Sequence, residues 1–298
     1  MGVGVTSNFD LKALIESKIH HGRIDEPDVK SLEIETGLSV DKLLLETLDV
    51  VQKYARPETS GFSVGAAALG ATGAIYVGMN VEFEGFDVSQ TIHAEQCTVI
   101  NAAHYGERHL PVLTVTAPPC GVCRQFLYEI DGAIDLQILL EGEAPHKLPY
   151  YLPEPFGPQD LNVTGALLSA QSHPCVSAGV NGVSAPLVEC AREWASRSYA
   201  PYTCSYGGVA LGLKDGQIIG GAYIENAAFN PSLAPIKSAL CRLFLAGKSY
   251  EDIEKVHIAQ VTDSKIDHTK STFQFTESLI ANAQVSQEKL TATEPVNE

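Results

Sequence analysis

The chain contains two similar segments about 145 residues apart. Tyr54-Ala55-Arg56-Pro57 is followed after six residues by Val64-Gly65, and Tyr199-Ala200-Pro201-Tyr202 is followed after six residues by Val209-Ala210. Farther along, the segment 73–82 aligns with the segment 216–225, and both end in Glu. Chance rarely preserves helical, glycine and acidic positions in one order. The sequence therefore predicts a duplicated domain, and the length of 298 residues leaves room for two.

The chain is acidic, with 36 Asp and Glu against 20 Lys and Arg and a formal net charge of -16. Such a charge repels phosphate backbones and anionic membrane surfaces, so nucleic acid and membranes are not expected as partners. No apolar run reaches the roughly 18 residues that would span a bilayer. The start fits the N-myristoylation pattern at Gly2 only loosely, and an ordinary disordered start is favoured. Seven cysteines without the density of a disulfide scaffold indicate reduced thiols and a cytoplasmic protein.

Apolar spacing predicts helices and strands in alternation, which is typical of an α/β fold with helices packed on a sheet. Residues 1–47 are predicted to form a helical N-terminal segment, 48–150 a first domain, 151–185 a linker, and 186–298 a second domain. In the first domain two apolar runs form a predicted hairpin, and the later strands are expected to pair in parallel across helical crossovers. The tail from about Gln284 is polar and is expected to fray.

The first domain carries a metal-binding pattern, His93-Ala94-Glu95 followed by Pro119-Cys120-Gly121-Val122-Cys123. One imidazole and two thiolates supply three ligands to Zn²⁺ and leave a fourth position for water, which is typical of a catalytic site. At a predicted helix start the two thiolates share a face and benefit from the helix dipole. Arg124 is a nearby cation that can hydrogen-bond one thiolate and moderate its electron donation to the metal. A lone Cys-x-x-Cys also occurs in redox motifs and in structural zinc sites, but the His-x-Glu pair makes those interpretations unfavourable.

Beyond this pattern the chain resembles the long, two-domain, homodimeric cytidine deaminases. The similarity runs from about Ala55 to Lys255 and includes the following segments: Phe62-Ser63-Val64-Gly65-Ala66, Asn80-Val81-Glu82-Phe83, Cys123-Arg124-Gln125-Phe126, Phe156-Gly157-Pro158, and Glu225-Asn226-Ala227-Ala228-Phe229-Asn230-Pro231. The resemblance implies a duplicated three-layer α/β/α fold, one Zn²⁺ per chain, and hydrolytic deamination of cytidine and deoxycytidine in pyrimidine salvage.

The resemblance also implies roles for individual residues. Glu95 is the expected proton shuttle, and Asn80 and Glu82 are expected to hold the ribose hydroxyls. The backbone at Ala94 is expected to bind the base edge, and three aromatic residues are expected to enclose the pyrimidine: Phe62, Phe156 and, from the partner subunit, Phe229. The alternatives are that Phe62 is ordinary core and that Glu82 is a solvated charge.

The second copy lacks the metal pattern. Aligned through Glu82 and Glu225, the His93 to Glu95 segment falls on Ile236-Lys237-Ser238, and no Pro-Cys-x-x-Cys follows. The second domain is therefore expected to serve assembly and pocket closure in a homodimer with composite sites. Two other functions stay open: a polynucleotide or transfer RNA deaminase, which would need a basic surface, and a non-catalytic binding protein of the same fold. Pro118 and Cys97 depart from the usual family residues.

Overall fold

A computed structural model describes residues 10–164, 166–177, 179 and 182–293. The possible acceptor Gly2 and the first nine residues of the predicted helical segment lie outside these residues. The chain is a mixed α/β protein with two sheets. Among the described residues, none of the helices combines the length and the apolar character needed to cross a membrane.

The first half contains three N-terminal helices and the first sheet, one edge strand of which lies between the first two helices in the chain. Its elements are, in chain order, α1 (Leu11–Lys18), β1 (Arg23–Ile24), α2 (Glu26–Thr36), α3 (Val40–Val51), β2 (Gly65–Leu69), β3 (Ile75–Met79), α4 (Ala94–His104), β4 (Val112–Val115), α5 (Gly121–Leu127), β5 (Gln137–Leu139), β6 (His146–Lys147) and α6 (Leu148–Tyr151). Asp10 caps α1 through a hydrogen bond from the Ala13 amide, and Gly37 ends α2 in the left-handed region that favours glycine.

The second half forms the second sheet. Its elements are β7 (Cys175–Ser177), α7 (Ala185–Ser196), β8 (Gly207–Leu213), β9 (Ile218–Ala222), α8 (Pro235–Leu245), β10 (Ile253–Val261), α9 (His268–Leu279) and β11 (Gln284–Ala292).

The two sheets confirm the predicted duplication. The first has the strand order β1-β3-β2-β4-β5-β6, and the second has the order β7-β11-β10-β8-β9. Each contains the same unit of helix, antiparallel hairpin, helix, strand, helix and parallel strand. The hairpin β2–β3 and the parallel pair β4–β5 correspond to β8–β9 and β10–β11. The expected hairpin and the parallel pairing after it are both present.

Close glycine contacts show the three layers. A side chain on Gly65 would meet the α3 backbone at Leu48 O, 3.1 Å away, whereas one on Gly78 would meet the α4 backbone at Thr98 N, 2.3 Å away. Gly78 lies opposite Ala66, the neighbour of Gly65, and successive residues of a strand face opposite sides. Helices α3 and α4 therefore cover opposite faces of the sheet. The second copy repeats this arrangement with α7 and α8.

The two copies meet where α4 packs against α8, and the N-terminal helices α1 and α2 pack on α3. One cluster of buried apolar side chains extends from Ile15 through both sheets to Ile280. The division of the chain into four segments stays a prediction. Two structural facts bear on its boundaries. Residue 47 lies inside α3, and the predicted linker contains β7, which pairs with β11 of the second sheet.

Two expectations from the sequence are wrong. The polar tail does not fray: β11 runs parallel to β10 for seven consecutive residue pairs, from Gln284 to Leu290. The strand lies between β7 and β10, and its backbone groups pair although its side chains are polar. The register of the second copy also differs. Ile92 and Leu233 occupy equivalent bridges ahead of α4 and α8, so Ala234 and not Ile236 takes the position of His93.

Candidate active site

The three predicted metal ligands come together at the starts of two helices. His93 immediately precedes α4, Cys120 immediately precedes α5, and Cys123 lies in the first turn of α5. The Cys120 sulfur is 3.6 Å from Nδ1 of His93 and 3.6 Å from the Cys123 sulfur. Within the part of the chain that the structure describes, no other group of three or more His, Cys, Asp or Glu side chains is arranged to hold a metal ion.

The donor atoms fit a zinc ion. With zinc–sulfur bonds near 2.3 Å and zinc–nitrogen bonds near 2.0 Å, tetrahedral coordination places two sulfurs about 3.8 Å apart and a sulfur and a nitrogen about 3.5 Å apart. The observed separations agree with these values to within a few tenths of an ångström. Two sulfurs and one imidazole are ligands that zinc prefers. Three ligands leave a coordination position open, as catalysis requires.

The ligands form a charged cluster. Hydrogen bonds from Cys123 and His93 lower the pKa of the Cys120 thiol to about 3, and the resulting thiolate raises the pKa of His93. Cys120 and burial raise the pKa of the Cys123 thiol well above its usual value. The protonated forms of His93 and Cys123 are therefore favoured in this cluster. Zinc binding must release protons from it, since the ion binds thiolate and neutral imidazole.

Glu95 lies beside the ligands and is 3 % exposed. Burial raises the pKa of its carboxyl group, although the neighbouring Cys123 and His93 act in the opposite direction. A buried carboxyl whose pKa is shifted toward neutrality can both accept and donate a proton at physiological pH. Ala94, the first residue of α4, is fully buried between His93 and Glu95.

Asn80 and Glu82 hold the loop that carries Phe62. The Asn80 amide donates to the Phe62 carbonyl at 2.9 Å, and its oxygen accepts from the Val64 amide at 2.8 Å. The Glu82 carboxylate accepts from both the amide and the hydroxyl of Ser60, and these bonds lower the pKa of Glu82 against the opposing effect of burial. Both side chains are therefore engaged by their own chain, a role that the sequence did not reveal.

The three aromatic residues expected around the base are unusually exposed. Phe62 is 60 % exposed, Phe156 46 % and Phe229 56 %. Phe156 is tied to α5 because the Gln125 side chain donates to its carbonyl at 2.6 Å. Large apolar side chains with this exposure are typical of surfaces that a ligand or a second chain covers.

Arg124 differs from its predicted role. Its guanidinium donates to the carbonyl of Pro119 at 2.7 Å and to the carbonyl of Tyr151 at 3.0 Å, and it lies over the Tyr151 ring. Neither bond involves a thiolate. The planar guanidinium instead fixes the residue before Cys120, and it joins the metal loop to α6.

The second domain of the same chain contacts both metal-bearing helices. On α4, Gln96 accepts from the His93 amide at 3.0 Å and donates to the Pro231 carbonyl at 3.0 Å. Next to α5, the Asn226 side chain donates to the Gln125 carbonyl at 3.2 Å. The loop 226–231, which carries Phe229, is therefore anchored on the zinc helices of its own chain.

Glu129 is a second link between the domains that the sequence did not indicate. It lies two residues beyond α5 and is completely buried. Its carboxyl accepts from the Tyr199 hydroxyl at 2.7 Å, from the Tyr202 hydroxyl, and from the Ala227 amide at 3.0 Å. Burial and the neighbouring carboxyl raise the pKa of both tyrosines, so their hydroxyls stay protonated and donate.

Lys237 brings a buried positive charge close to the metal ligands. The residue is 6 % exposed, and burial lowers the pKa of its amine to about 8. Together with His93 and Gln96 it lines a cleft of about 460 Å³ between α4 and α8. No sequence pattern indicated that Lys237 lies near the metal ligands, because Lys237 belongs to the copy that lacks the metal pattern.

The second copy cannot repeat the metal site. At the start of α8 Ala234 and Ile236 take the positions of His93 and Glu95, and at the start of α9 Asp267 and Lys270 take the positions of Cys120 and Cys123. The second copy nevertheless keeps the hydrogen bonds that hold the Glu82 carboxylate in the first copy. Glu225 accepts from the amide and hydroxyl of Thr203 as Glu82 does from Ser60.

Comparison with known proteins gives matches in both copies. Residues 38–137 and residues 148–273 each match a family model described as the cytidine and deoxycytidylate deaminase zinc-binding region. Among solved structures, the cytidine deaminase of Mycobacterium tuberculosis is 32 % identical, covers 39 % of this chain and 96 % of its own, and has a TM-score of 0.36. The Burkholderia pseudomallei cytidine deaminase is 25 % identical, with coverages of 39 % and 98 % and a TM-score of 0.35.

The two family matches together span most of the chain. The first match includes the donor set that fits zinc and the buried carboxyl group beside it. Both models are described as zinc-binding regions, and the cluster of His93, Cys120 and Cys123 is compatible with zinc. The chain belongs to the zinc-binding cytidine and deoxycytidylate deaminase family.

Proposed function

We propose that this protein deaminates free cytidine and deoxycytidine hydrolytically, giving uridine or deoxyuridine and ammonia. One observation carries the proposal: the three side chains that can bind zinc lie together with the buried carboxyl of Glu95, which is at the start of α4. A redox or structural Cys-x-x-Cys needs no such carboxyl. A binding protein with a dead site would not need to keep all four residues.

When bound at His93, Cys120 and Cys123, zinc supplies a Lewis acid that makes water nucleophilic near neutral pH. The remaining work falls to Glu95. Its carboxylate takes the proton that water loses as the new bond to C4 of the base forms. It delivers this proton to N3, takes the second proton of the added water, and passes that proton to the departing amine, so that the bond from C4 to nitrogen breaks, the C4 carbonyl forms and ammonia leaves. The desolvated surroundings of Glu95 suit a group that must both accept and donate.

The nucleoside is proposed to lie between the Phe62 ring and the start of α4. The Asn80 amide and the Glu82 carboxylate each keep unused hydrogen-bonding capacity beyond their loop contacts, and these groups match ribose hydroxyls as donor and acceptor. A 5'-phosphate near Glu82 would be repelled. With a net charge of -16, the chain also favours an uncharged nucleoside over a polynucleotide.

We further propose a homodimer with composite sites. The exposed rings of Phe62, Phe156 and Phe229 support it, because a partner chain would cover apolar surface that one chain leaves open. Loop 226–231 is anchored on its own zinc helices through its backbone and Asn226, which leaves Phe229 available to a second chain. Thiolate ligands require a reducing environment, which supports a cytoplasmic location.

The proposal is tested by following deamination of cytidine, deoxycytidine, cytidine 5'-monophosphate and single-stranded DNA side by side. We expect rapid turnover of both nucleosides and kcat/KM values lower by at least about 100-fold for the phosphorylated substrates, consistent with repulsion at Glu82. Glu82→Gln should narrow the gap between cytidine and its monophosphate. Preferred turnover of single-stranded DNA would instead identify a polynucleotide deaminase, and no turnover of any substrate by zinc-loaded protein would identify a binding protein.

A further inference from the structure

The two domains enclose another cavity at the opposite end of α4 from Glu95. Helix α4 has eleven residues, so the two ends are about 16 Å apart. The cavity has a volume of about 100 Å³. Its walls come from the last turn of α4 and from α7, α8 and the segment 167–171. The volume suits a group of a few heavy atoms and excludes a nucleoside.

The walls are positively charged in an otherwise acidic protein. Three arginine residues line the cavity, Arg108, Arg197 and Arg242. Arg108 donates to the Leu168 carbonyl at 3.2 Å, and Arg242 donates to the Gly220 carbonyl. Within the described parts of the chain neither group forms a salt bridge.

The third guanidinium is partly balanced. Arg197 lies 3.5 Å from Glu193, which is largely exposed, and it also donates to carbonyls at the end of α4. The central carbons of the Arg197 and Arg242 guanidinium groups lie over the Trp194 ring, 4.2 and 4.8 Å from its centroid. The indole therefore fixes two cations at one wall of the cavity.

Hydrogen-bond donors without a partner complete the lining. A nitrogen of Arg242 lies 2.8 Å from Nε2 of His104, and since a guanidinium can only donate, Nε2 accepts. Burial and the two nearby arginines lower the pKa of His104 to about 3, so its ring is neutral and carries its hydrogen on Nδ1. Neither Nδ1 of His104 nor the hydroxyl of Ser238, which is 1 % exposed, has a hydrogen-bond partner among the described residues.

One carboxylate also lines the cavity, but it is already engaged. Glu107 accepts from the hydroxyl of Thr72, from Tyr76 at 3.2 Å and from the Arg108 amide at 2.8 Å. Glu107 forms no salt bridge with Arg242 among the described residues. Burial lowers the pKa of the Arg242 guanidinium to about 10. A buried cation without a counter-charge is costly, and an anion bound beside it removes that cost.

We propose that this cavity is a binding site for a free oxyanion of the size and charge of inorganic phosphate. The guanidinium groups supply the charge, and Nδ1 of His104 and the Ser238 hydroxyl supply two directed donors. The anion would contact α4 and α7 or α8 at once, so it would join the two domains at the end of the helix that carries His93 and Glu95. The site is separate from the proposed deamination.

The test is isothermal titration calorimetry of the zinc-loaded protein with inorganic phosphate, at constant ionic strength adjusted with chloride. We expect one saturable site per chain. Ser238→Ala should weaken binding about threefold to tenfold, and Arg242→Gln at least about tenfold. Lys147→Gln is the control, because it removes the same charge from a 60 % exposed side chain paired with Asp135, outside the cavity.

Phosphate bound at the zinc ion would be unaffected by Ser238→Ala, so equal affinities of that variant and the wild type overturn the proposal. An absence of saturable binding to the wild type overturns it as well. If Arg242→Gln does not fold, Arg197→Gln takes its place with the same expected direction. Glycerol 2-phosphate should bind more weakly than phosphate, and tighter binding would contradict the size that the cavity sets.

Discussion

Gly78 allows α4 to lie close to the sheet, and we expect the position of α4 to control kcat because His93 and Glu95 are at its start. A Cβ atom at residue 78 would lie 2.3 Å from the Thr98 amide nitrogen and 2.6 Å from the Ala94 carbonyl oxygen. Ordinary contact begins near 3.4 Å, so in Gly78→Ala the start of α4 must move by about 1 Å. Overpacking of this kind costs about 1–3 kcal/mol of unfolding free energy. A displacement of about 1 Å at catalytic groups lowers kcat by about 100-fold.

The second domain supplies a matched control. In Gly221→Ala the new Cβ atom would lie 2.2 Å from the Ala239 amide nitrogen, a similar clash against α8, which carries no metal ligand. Urea unfolding should show comparable losses of stability in the two variants. Zinc content and kcat, measured well below the unfolding transition, should fall mainly in Gly78→Ala. If Gly78→Ala retains kcat within about twofold of the wild type, the link between helix position and catalysis is wrong.

Three further results are expected. Glu129→Gln turns one of two acceptor oxygens into a donor in a buried site where three groups donate, so urea unfolding should show a loss of about 2–4 kcal/mol and KM should rise more than zinc content falls. Mixing Glu95→Ala with Phe229→Ala chains should restore part of the activity, because half of the sites in a heterodimer combine two intact contributions; after verified subunit exchange, no recovery would assign Phe229 to the site of its own chain. His104 has a lower pKa in the folded state than in the unfolded chain, so stability is highest above about pH 6.5 and falls as the pH drops toward 3. Between pH 6.5 and 5 the loss should be about 1.6 kcal/mol, and His104→Gln should lack this part of the slope.

The duplication and the clustering of His93, Cys120 and Cys123 could be predicted because both produce local sequence patterns. Glycine and Glu positions recur at one spacing, and His93, Cys120 and Cys123 have the spacing of a ligand set. The polar residues that join the domains have no such pattern. Gln96 and Pro231 are 135 residues apart, and Glu129 and Tyr199 are 70 apart. Only the packing of the two copies brings these groups together.

The errors also have physical causes. The tail 284–292 was expected to fray because its side chains are polar, but residues 284–290 pair with β10 and residues 290–292 pair with β7, so backbone hydrogen bonds hold the strand whatever the side chains are. The register of the second copy was set from Glu225, and the connection to α8 is two residues shorter than the one to α4. Arg124 was assigned to a thiolate from proximity in sequence, whereas two carbonyls offer its planar donors better partners.

The central claim is that Glu95 transfers the protons of a zinc-dependent deamination. The most direct measurement is the rate of uridine formation from cytidine by zinc-loaded Glu95→Gln, with zinc content measured in the same samples. The amide keeps the size of the side chain and cannot act as a base. We predict full zinc content and a fall in kcat of at least about 10³-fold, of the order that loss of a general acid–base group produces. Full zinc content with kcat near that of the wild type would contradict the account.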